Sequence, residues 1–400
     1  MSLPDRDQIE RRHRALREEF LLRPEVVFLN HGSFGACPRP VFESYQAWQL
    51  ELERQPVEFM GRRSRELMAE ARAALAGYLG ADADEVVYFP NVTVALNVVA
   101  RSLRLEPGDE VLMTDHEYGA LERTWQFVCE KAGAGTVVAP LPTPLDEPGA
   151  VVEALLAGLT ERTRVVFLSH ITSPTALVLP VGAVVAAVRA RRPDVLIVVD
   201  GAHAPGQIEL DLHGLDVDFY GGNCHKWLSA PKGAGFLYAR RDRQELLEPL
   251  VVSWGWRSRQ PGSSRYVDEH EFQGTRDIAA YLAVPDAIRF QEQRDWASVR
   301  AECHAMVAWF RQEMARRTGL APLATGPDWH AQMITVPLPS CDLDTLRHGL
   351  YDQRRIELPL TRWRDQPGLR VSVQGYVTPS DLETLLGALD ELVLTARPSG

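Results

Sequence analysis

The sequence predicts an α/β fold: a doubly wound domain with a mainly parallel sheet, joined to a smaller α+β domain near the C-terminus. Three observations predict it. Short apolar runs such as VVFL and VLIVV alternate with helical stretches over roughly residues 65–265, the pattern of strands buried on both faces with helices between them. The 400 residues are 45% hydrophobic and 24% charged, enough for one large core and a second, smaller one. After a Gly/Ser-rich stretch, SRQPGSSRY, the alternation gives way to long helices and isolated strands.

The elements follow in order. Residues 5–20 read as an amphipathic helix, and VVFLNHGSFGACPRP as an extended piece entering a Gly/Pro loop. Residues 40–79 carry helical periodicity, broken near Pro56. Then come strand EVVYFP, helix NVTVALNVVARSL, strand DEVLMTD, helix YGALERTWQFVCEKAG, strand TRVVFLSH, helix VGAVVAAVRARR and strand DVLIVVDGAH. LDVDFYGG and GAGFLYAR are two more short strands. Helices over 276–292 and 295–318, strands AQMITVPL and GLRVSVQG, and a helix over 380–395 complete the chain. The expected organisation is an N-terminal segment (1–64) packing on the small domain, a large domain (65–265) and a C-terminal domain (266–400).

A net charge of −11 argues against a nucleic-acid or anionic-membrane binder. Five scattered cysteines without a CxxC pair suggest neither a disulfide framework nor a zinc knuckle. The charged start lacks the apolar core of a signal peptide, and no apolar run approaches ~18 residues. A cytoplasmic protein acting on a small molecule is the expectation.

Open α/β sheets bind ligands at the carboxyl ends of their strands. The polar residues there are Asn91 and Thr93, Asp115 to Tyr118, His170 to Thr175, Asp200 and His203, and Tyr220 to Lys226. Asn91 and Thr93 open a helix, where they serve as caps or help its free N–H groups bind an anion. Asp200 reads as a turn former, as a metal ligand with His203, or as the partner of a protonated heterocyclic nitrogen. Lys226 follows Asp200 by 26 residues, beside Trp227 and between glycines, with almost no other charge nearby. A lysine so placed is either solvated or held in a pocket where it loses its proton and becomes a nucleophile or base.

FLNHGSFG, DHEYGA, SHITSPTA, DGAHAPG and GNCHKW together resemble the class V aminotransferase family of fold type I pyridoxal-phosphate enzymes, in its isopenicillin N epimerase-like branch. The resemblance implies a fold type I architecture, a seven-stranded type of sheet and pyridoxal 5′-phosphate as cofactor. It implies that Lys226 bonds the cofactor and moves protons at the substrate Cα, that Asp200 pairs with the ring nitrogen, and that His203 lies near the ring oxygen. Thr93, the backbone at Val92, and His225 would hold the phosphate, helped by Tyr220 or Asn223. Tyr118 would stack on the ring, with His116 as second choice. Ser173, beside Thr172, would touch the cofactor oxygen. Arg370 in LRVSVQGYVT would bind the substrate carboxylate, with Asn30, His31 and Ser33 at the cleft mouth. Thr275 in EFQGTRD would reach a neighbouring subunit's phosphate site, which implies a homodimer with shared active sites. No metal is implied.

An epimerase or racemase needs a second acid opposite Lys226, for which Tyr118, His116 and His31 are candidates. A C–S β-lyase needs only a leaving group on Cβ, and a transaminase needs room for two substrates in turn. A cysteine desulfurase needs a mobile cysteine shortly before the carboxylate arginine, and IELPLTRWRDQPGLR has none. An inactive cofactor-binding relative would tend to lose Lys226 or Asp200, and both are present. The epimerase is the expected activity and the C–S lyase the alternative. Two aromatic and basic loops, Trp254–Trp256–Arg257 and Arg362–Trp363–Arg364, either line the pocket or pack against a partner.

Overall fold

Seven strands form the large sheet: β1 (Val86–Phe89), β2 (Glu110–Thr114), β3 (Gly135–Ala139), β4 (Thr163–Ser169), β5 (Leu196–Gly201), β6 (Phe219–Asn223) and β7 (Gly235–Ala239). In the computed structural model of the chain, residue 3 and residues 5–394 are described. The outer limits of the expected first and last domains (residues 1, 2, 4 and 395–400), and residue 395 of the expected last helix, lie outside the described residues. The strand order is β1-β7-β6-β5-β4-β2-β3. All neighbours pair parallel except those of β7, which runs against both β6 and β1.

Alternation along each strand divides the core. Val165 and Phe167 join one apolar cluster, while Val166 and Leu168 join the other. This is the period of two expected of a sheet covered on both faces. Several elements go beyond the expected series, among them β3, the helix Pro148–Gly158, the short helices Leu212–Leu215 and Arg265–Glu271, and the strand Leu360–Trp363. β3 lies at the sheet edge and is largely exposed, so it lacks the apolar run that marks a buried strand.

Three antiparallel strands form the small sheet: β8 (Met333–Pro337), β9 (Leu360–Trp363) and β10 (Gln366–Ser372), with β10 in the middle. The N-terminal segment is stitched to this part of the chain. Val27–Phe28 pairs parallel with Ile356–Glu357. The helix Arg6–Glu18 packs on the helix Pro379–Leu389, and buried His13 meets the Val377 carbonyl at 2.7 Å. No helix among the described residues is long and apolar enough to cross a membrane.

Candidate active site

A cavity of about 580 Å³ opens at the carboxyl ends of β1, β2, β4, β5 and β6. It is lined by Thr93, Tyr118, Ser169, Ser173, Asp200, His203, Asn223, His225, Lys226 and Arg370, with Val92 and Ser33 among the other contributors. Most of the sequence-derived residues thus meet around one space.

Lys226 sits in a turn clamped from several sides. Gly35 has φ 72°, and a Cβ there would lie 1.9 Å from the His225 carbonyl oxygen, so only glycine lets the N-terminal segment press this close. His31 Nε2 meets the Lys226 carbonyl at 2.9 Å, and Gln291 donates to the Trp227 carbonyl at 2.8 Å. The amine is held by His203, whose Nε2 lies 3.2 Å from Lys226 Nζ. The Trp227 indole N–H donates to His203 Nδ1 at 3.2 Å. An indole nitrogen can only donate, so in the neutral ring the His203 proton sits on Nε2 and points at the lysine. A neutral amine accepts that proton; an ammonium has no lone pair for it. Burial first, then the Arg370 charge, lower the Lys226 pKa to about 8, against an opposing pull from Asp200, so the neutral amine becomes accessible just above neutral pH. Burial, with Lys226 and Arg370 nearby, holds His203 well below its ordinary value.

Asp200 is buried at the end of β5 and accepts the Ala202 N–H at 2.8 Å. Burial raises its carboxyl to about 6, with the Ala202 bond and Lys226 pulling it down. A protonated heterocyclic nitrogen would supply the countercharge this carboxylate lacks.

At the helix Val92–Ser102, Asn91 caps the Val94 N–H at 3.0 Å and Asn223 Oδ1 takes the Val92 N–H at 3.0 Å. Thr93 faces the cavity beside these two occupied donors. Asn223, committed through its oxygen, has its amide N–H groups left to offer. His225 Nδ1 donates to the Ala234 carbonyl at 2.8 Å, which leaves Nε2 as the free ring nitrogen. Burial lowers its pKa to about 4. A helix start, a hydroxyl and an amide fit a phosphate, whose charge would raise the pKa of His225 and let its Nε2 donate.

Arg370, on β10, is 7% exposed. Its Nη1 donates to the Ser173 carbonyl at 2.6 Å and its Nη2 to the Ser33 hydroxyl at 3.2 Å. Its buried Nε has no partner among the described residues. Burial lowers its pKa to about 10. An unpartnered N–H on a buried guanidinium beside a polar cavity suits a carboxylate. The donor set therefore fits pyridoxal phosphate and an amino-acid substrate.

Other expected residues lie elsewhere. Tyr220 does not line the cavity: on β6 it faces away from Asn223, and its hydroxyl meets His170 Nδ1 at 2.9 Å. Period-two alternation puts it on the opposite face of the sheet, so Asn223 takes the place offered to either. Asn30 stands behind the lining; it holds the Ser33 hydroxyl at 2.5 Å and donates to Glu357 at 3.0 Å. His31 is fully buried between the Tyr376 hydroxyl and Lys226, with burial lowering its pKa to about 3, so it is an anchor and not an acid. His116 is also buried outside the lining, bonded to Thr175 at 2.7 Å. Thr172 is buried against the same Thr175. Tyr118 is 43% exposed at the cavity edge, where its hydroxyl acts electrostatically on Arg370. Thr275 is exposed, away from this cavity. Trp254 lines a separate cavity of about 350 Å³ with Met60, Met68 and Arg72.

One carboxyl was missed. Glu117 is buried, accepts from Thr114 at 2.5 Å and from Ser169 at 2.6 Å, and is raised to about 7, mainly by burial, with Asp200 adding to it. Its position inside DHEYGA, between two chosen residues, was the available signal.

A model of the aminotransferase class-V family matches residues 36–385. The chain is 40% identical to an isopenicillin N epimerase of Amycolatopsis lactamdurans, over 94% of this chain and 97% of that protein. It is 30% identical to a putative L-cysteine desulfhydrase of Oryza sativa subsp. japonica, over 92% and 83% respectively. Among solved structures, the cysteine desulfurase CsdA of Escherichia coli superposes with a TM-score of 0.79 at 22% identity, over 95% of this chain and 98% of that one, which shows the shared fold. The chain belongs to the class V aminotransferase family of fold type I pyridoxal-phosphate enzymes.

Proposed function

We propose that the enzyme is an epimerase acting at Cα of an amino acid with a free α-carboxylate. The observation that carries this is the Lys226 amine, its pKa lowered to about 8 by burial and its nitrogen held by His203, in one cavity with Asp200 and Arg370. Identity to isopenicillin N epimerase over nearly the whole chain supports the reaction type.

Bound pyridoxal phosphate supplies an electron sink that makes the Cα proton acidic. Thr93, Asn223 and His225 would hold its phosphate, and Asp200 would keep its ring nitrogen charged. His203 donates its Nε2 proton beside the lysine. Arg370 fixes the substrate carboxylate through the guanidinium with which it lines the cavity. Lys226 removes the Cα proton, and Tyr118, at the cavity edge near Arg370, returns one from the other side. Thr275 acts in the site of a second copy of the chain, so the working unit is a homodimer.

Elimination of a Cβ sulfur leaving group is the second reading, favoured by identity to the desulfhydrase. A persulfide-forming desulfurase is disfavoured: no cysteine lines the cavity, and burial pushes the Cys37 thiol up to about 12.

The holoenzyme is incubated with a panel of L-amino acids and cysteine S-conjugates in D₂O. Racemised, Cα-deuterated substrate is the expected product. Pyruvate and ammonia would establish the lyase instead, and absence of Cα exchange with every compound would overturn both readings. Lys226→Ala should lose the cofactor band at roughly 410–430 nm; a band that persists unchanged would remove Lys226 from its role.

A further inference from the structure

The hairpin that carries Arg370 ends in a turn whose sequence is poorly suited to it. Trp363 pairs with Gln366, which leaves Arg364 and Asp365 as a two-residue loop with φ of 45° and 64°. Both central residues of such a turn need positive φ, so Asn-Gly and Asp-Gly are preferred, and an arginine is held there only by its surroundings.

Those surroundings are dense and belong to the large domain. Arg364 Nε donates to Asp115 Oδ2 at 2.9 Å, and Arg364 Nη2 pairs with the same oxygen. Nη2 also donates to the Leu141 carbonyl at 2.9 Å, and Nη1 to the Thr143 hydroxyl at 3.3 Å. The guanidinium lies 4.3 Å from the centre of the Trp363 ring. Trp363 in turn donates to the Asp115 carbonyl at 3.3 Å and packs on the His116 ring, centroids 4.4 Å apart.

The contacts lead back to Arg370. His116 bonds Thr175 at 2.7 Å, in the loop whose Ser173 carbonyl accepts from Arg370 at 2.6 Å. Arg370 is therefore held between the hairpin's own strand and a loop that the hairpin tip braces.

We propose that Arg364 and Trp363 form a strap that docks the hairpin tip on Asp115 and His116, and that this docking is what sets Arg370 for its carboxylate. Arg364 is a positioning residue; it acts through Arg370 and rests on the reading of Arg370 as the carboxylate ligand. A displacement of about 1 Å at such a fork is enough to weaken recognition strongly.

The test uses Arg364→Gly in the holoenzyme. Glycine removes the contacts yet suits the turn, so the melting temperature should stay within about 2 °C of the parent. Affinity is read from the cofactor absorbance, with the tightest-binding L-amino acid of the panel and its carboxamide as probes. The acid should bind about tenfold more weakly, and the carboxamide within about twofold of the parent. In an Arg370→Met background the Arg364 substitution should have no further effect. Arg364→Asn, which also tolerates the turn, should behave alike. Unchanged affinity for the acid, equal weakening of both probes, or the full factor persisting without Arg370 would each overturn the strap. If Arg370→Met alone leaves acid binding unchanged, the carboxylate reading itself fails.

Discussion

On the floor of the cavity, Asp200, His203, Asn223 and Lys226 come from the ends of two adjacent strands. On its rim, Ser33, Phe34, Tyr118 and Arg370 come from three distant stretches of chain. Phe34 and Tyr118 are 75% and 43% exposed, whereas Asp200 and His203 are 3% and 2% exposed. Floor groups sit at the ends of neighbouring strands, with the Lys226 turn clamped by His31 and Gln291, and burial shifts their proton affinities. Rim groups are brought together only when the N-terminal segment and the small sheet dock. Arg370 links the two: it belongs to the rim by origin, yet it is buried and its charge helps lower the Lys226 pKa. Loops on a rigid scaffold are where specificity varies.

If this contrast holds, floor substitutions should alter chemistry and proton affinity, while rim substitutions alter preference. Asp200→Asn should lower turnover by about 100-fold or more while the chain still folds, since a buried countercharge to the ring nitrogen is lost; steady-state kinetics check it.

Lys226 provides a sharper, pH-dependent test in the apoenzyme. Its amine titrates near 8 in the folded chain against an ordinary 10.5. A buried amine with a lowered pKa destabilises the fold while it is protonated. That cost is full below about pH 8 and fades as pH approaches 10.5, so this group's contribution to stability rises with pH. Lys226→Met should stabilise the apoenzyme at pH 7 by on the order of 3 kcal/mol, with the gain vanishing near pH 10.5. Denaturant unfolding at several pH values measures it, and a gain independent of pH would contradict the burial account.

Thr93→Val should weaken cofactor retention by about tenfold, the worth of one hydrogen bond to a charged group; dialysis followed by absorbance reads this. Tyr220→Phe should leave cofactor affinity within about twofold and cost about 1 kcal/mol of stability, because the hydroxyl serves His170. A large loss of cofactor there would return Tyr220 to the floor. The smallest effect is expected at the rim: Phe34→Ala should change relative kcat/KM across the panel by a few-fold and leave the cofactor band as it was.

Much of the floor was legible because a strand end and the following loop place polar residues predictably. Asp200, His203, His225 and Lys226 could be chosen from their positions after apolar runs. What failed was the choice between neighbours. Tyr220 and Asn223 both follow the same run, and strand parity, set by the register of β6 on β5, decides between them. His31 and His116 carry the right chemistry, yet Tyr376 binds His31 and Thr175 takes Nδ1 of His116 from hundreds or tens of residues away, and both rings are buried outside the lining. Neither partner is signalled by local spacing. β3 escaped for the converse reason, since an exposed edge strand needs no apolar run.

By itself the sequence determined the α/β architecture and the family, and it proposed the lysine–aspartate pair. Each rests on local periodicity or on short motifs, and the chain carries those wherever it folds. Only the tertiary structure decided which imidazoles are free, that the Trp227 indole sets the His203 proton towards Lys226, and that Arg370 lines the cavity with an Nε that has no partner among the described residues. Those facts depend on contacts between segments far apart in the chain, where burial and hydrogen-bond competition, and not residue type, assign the role.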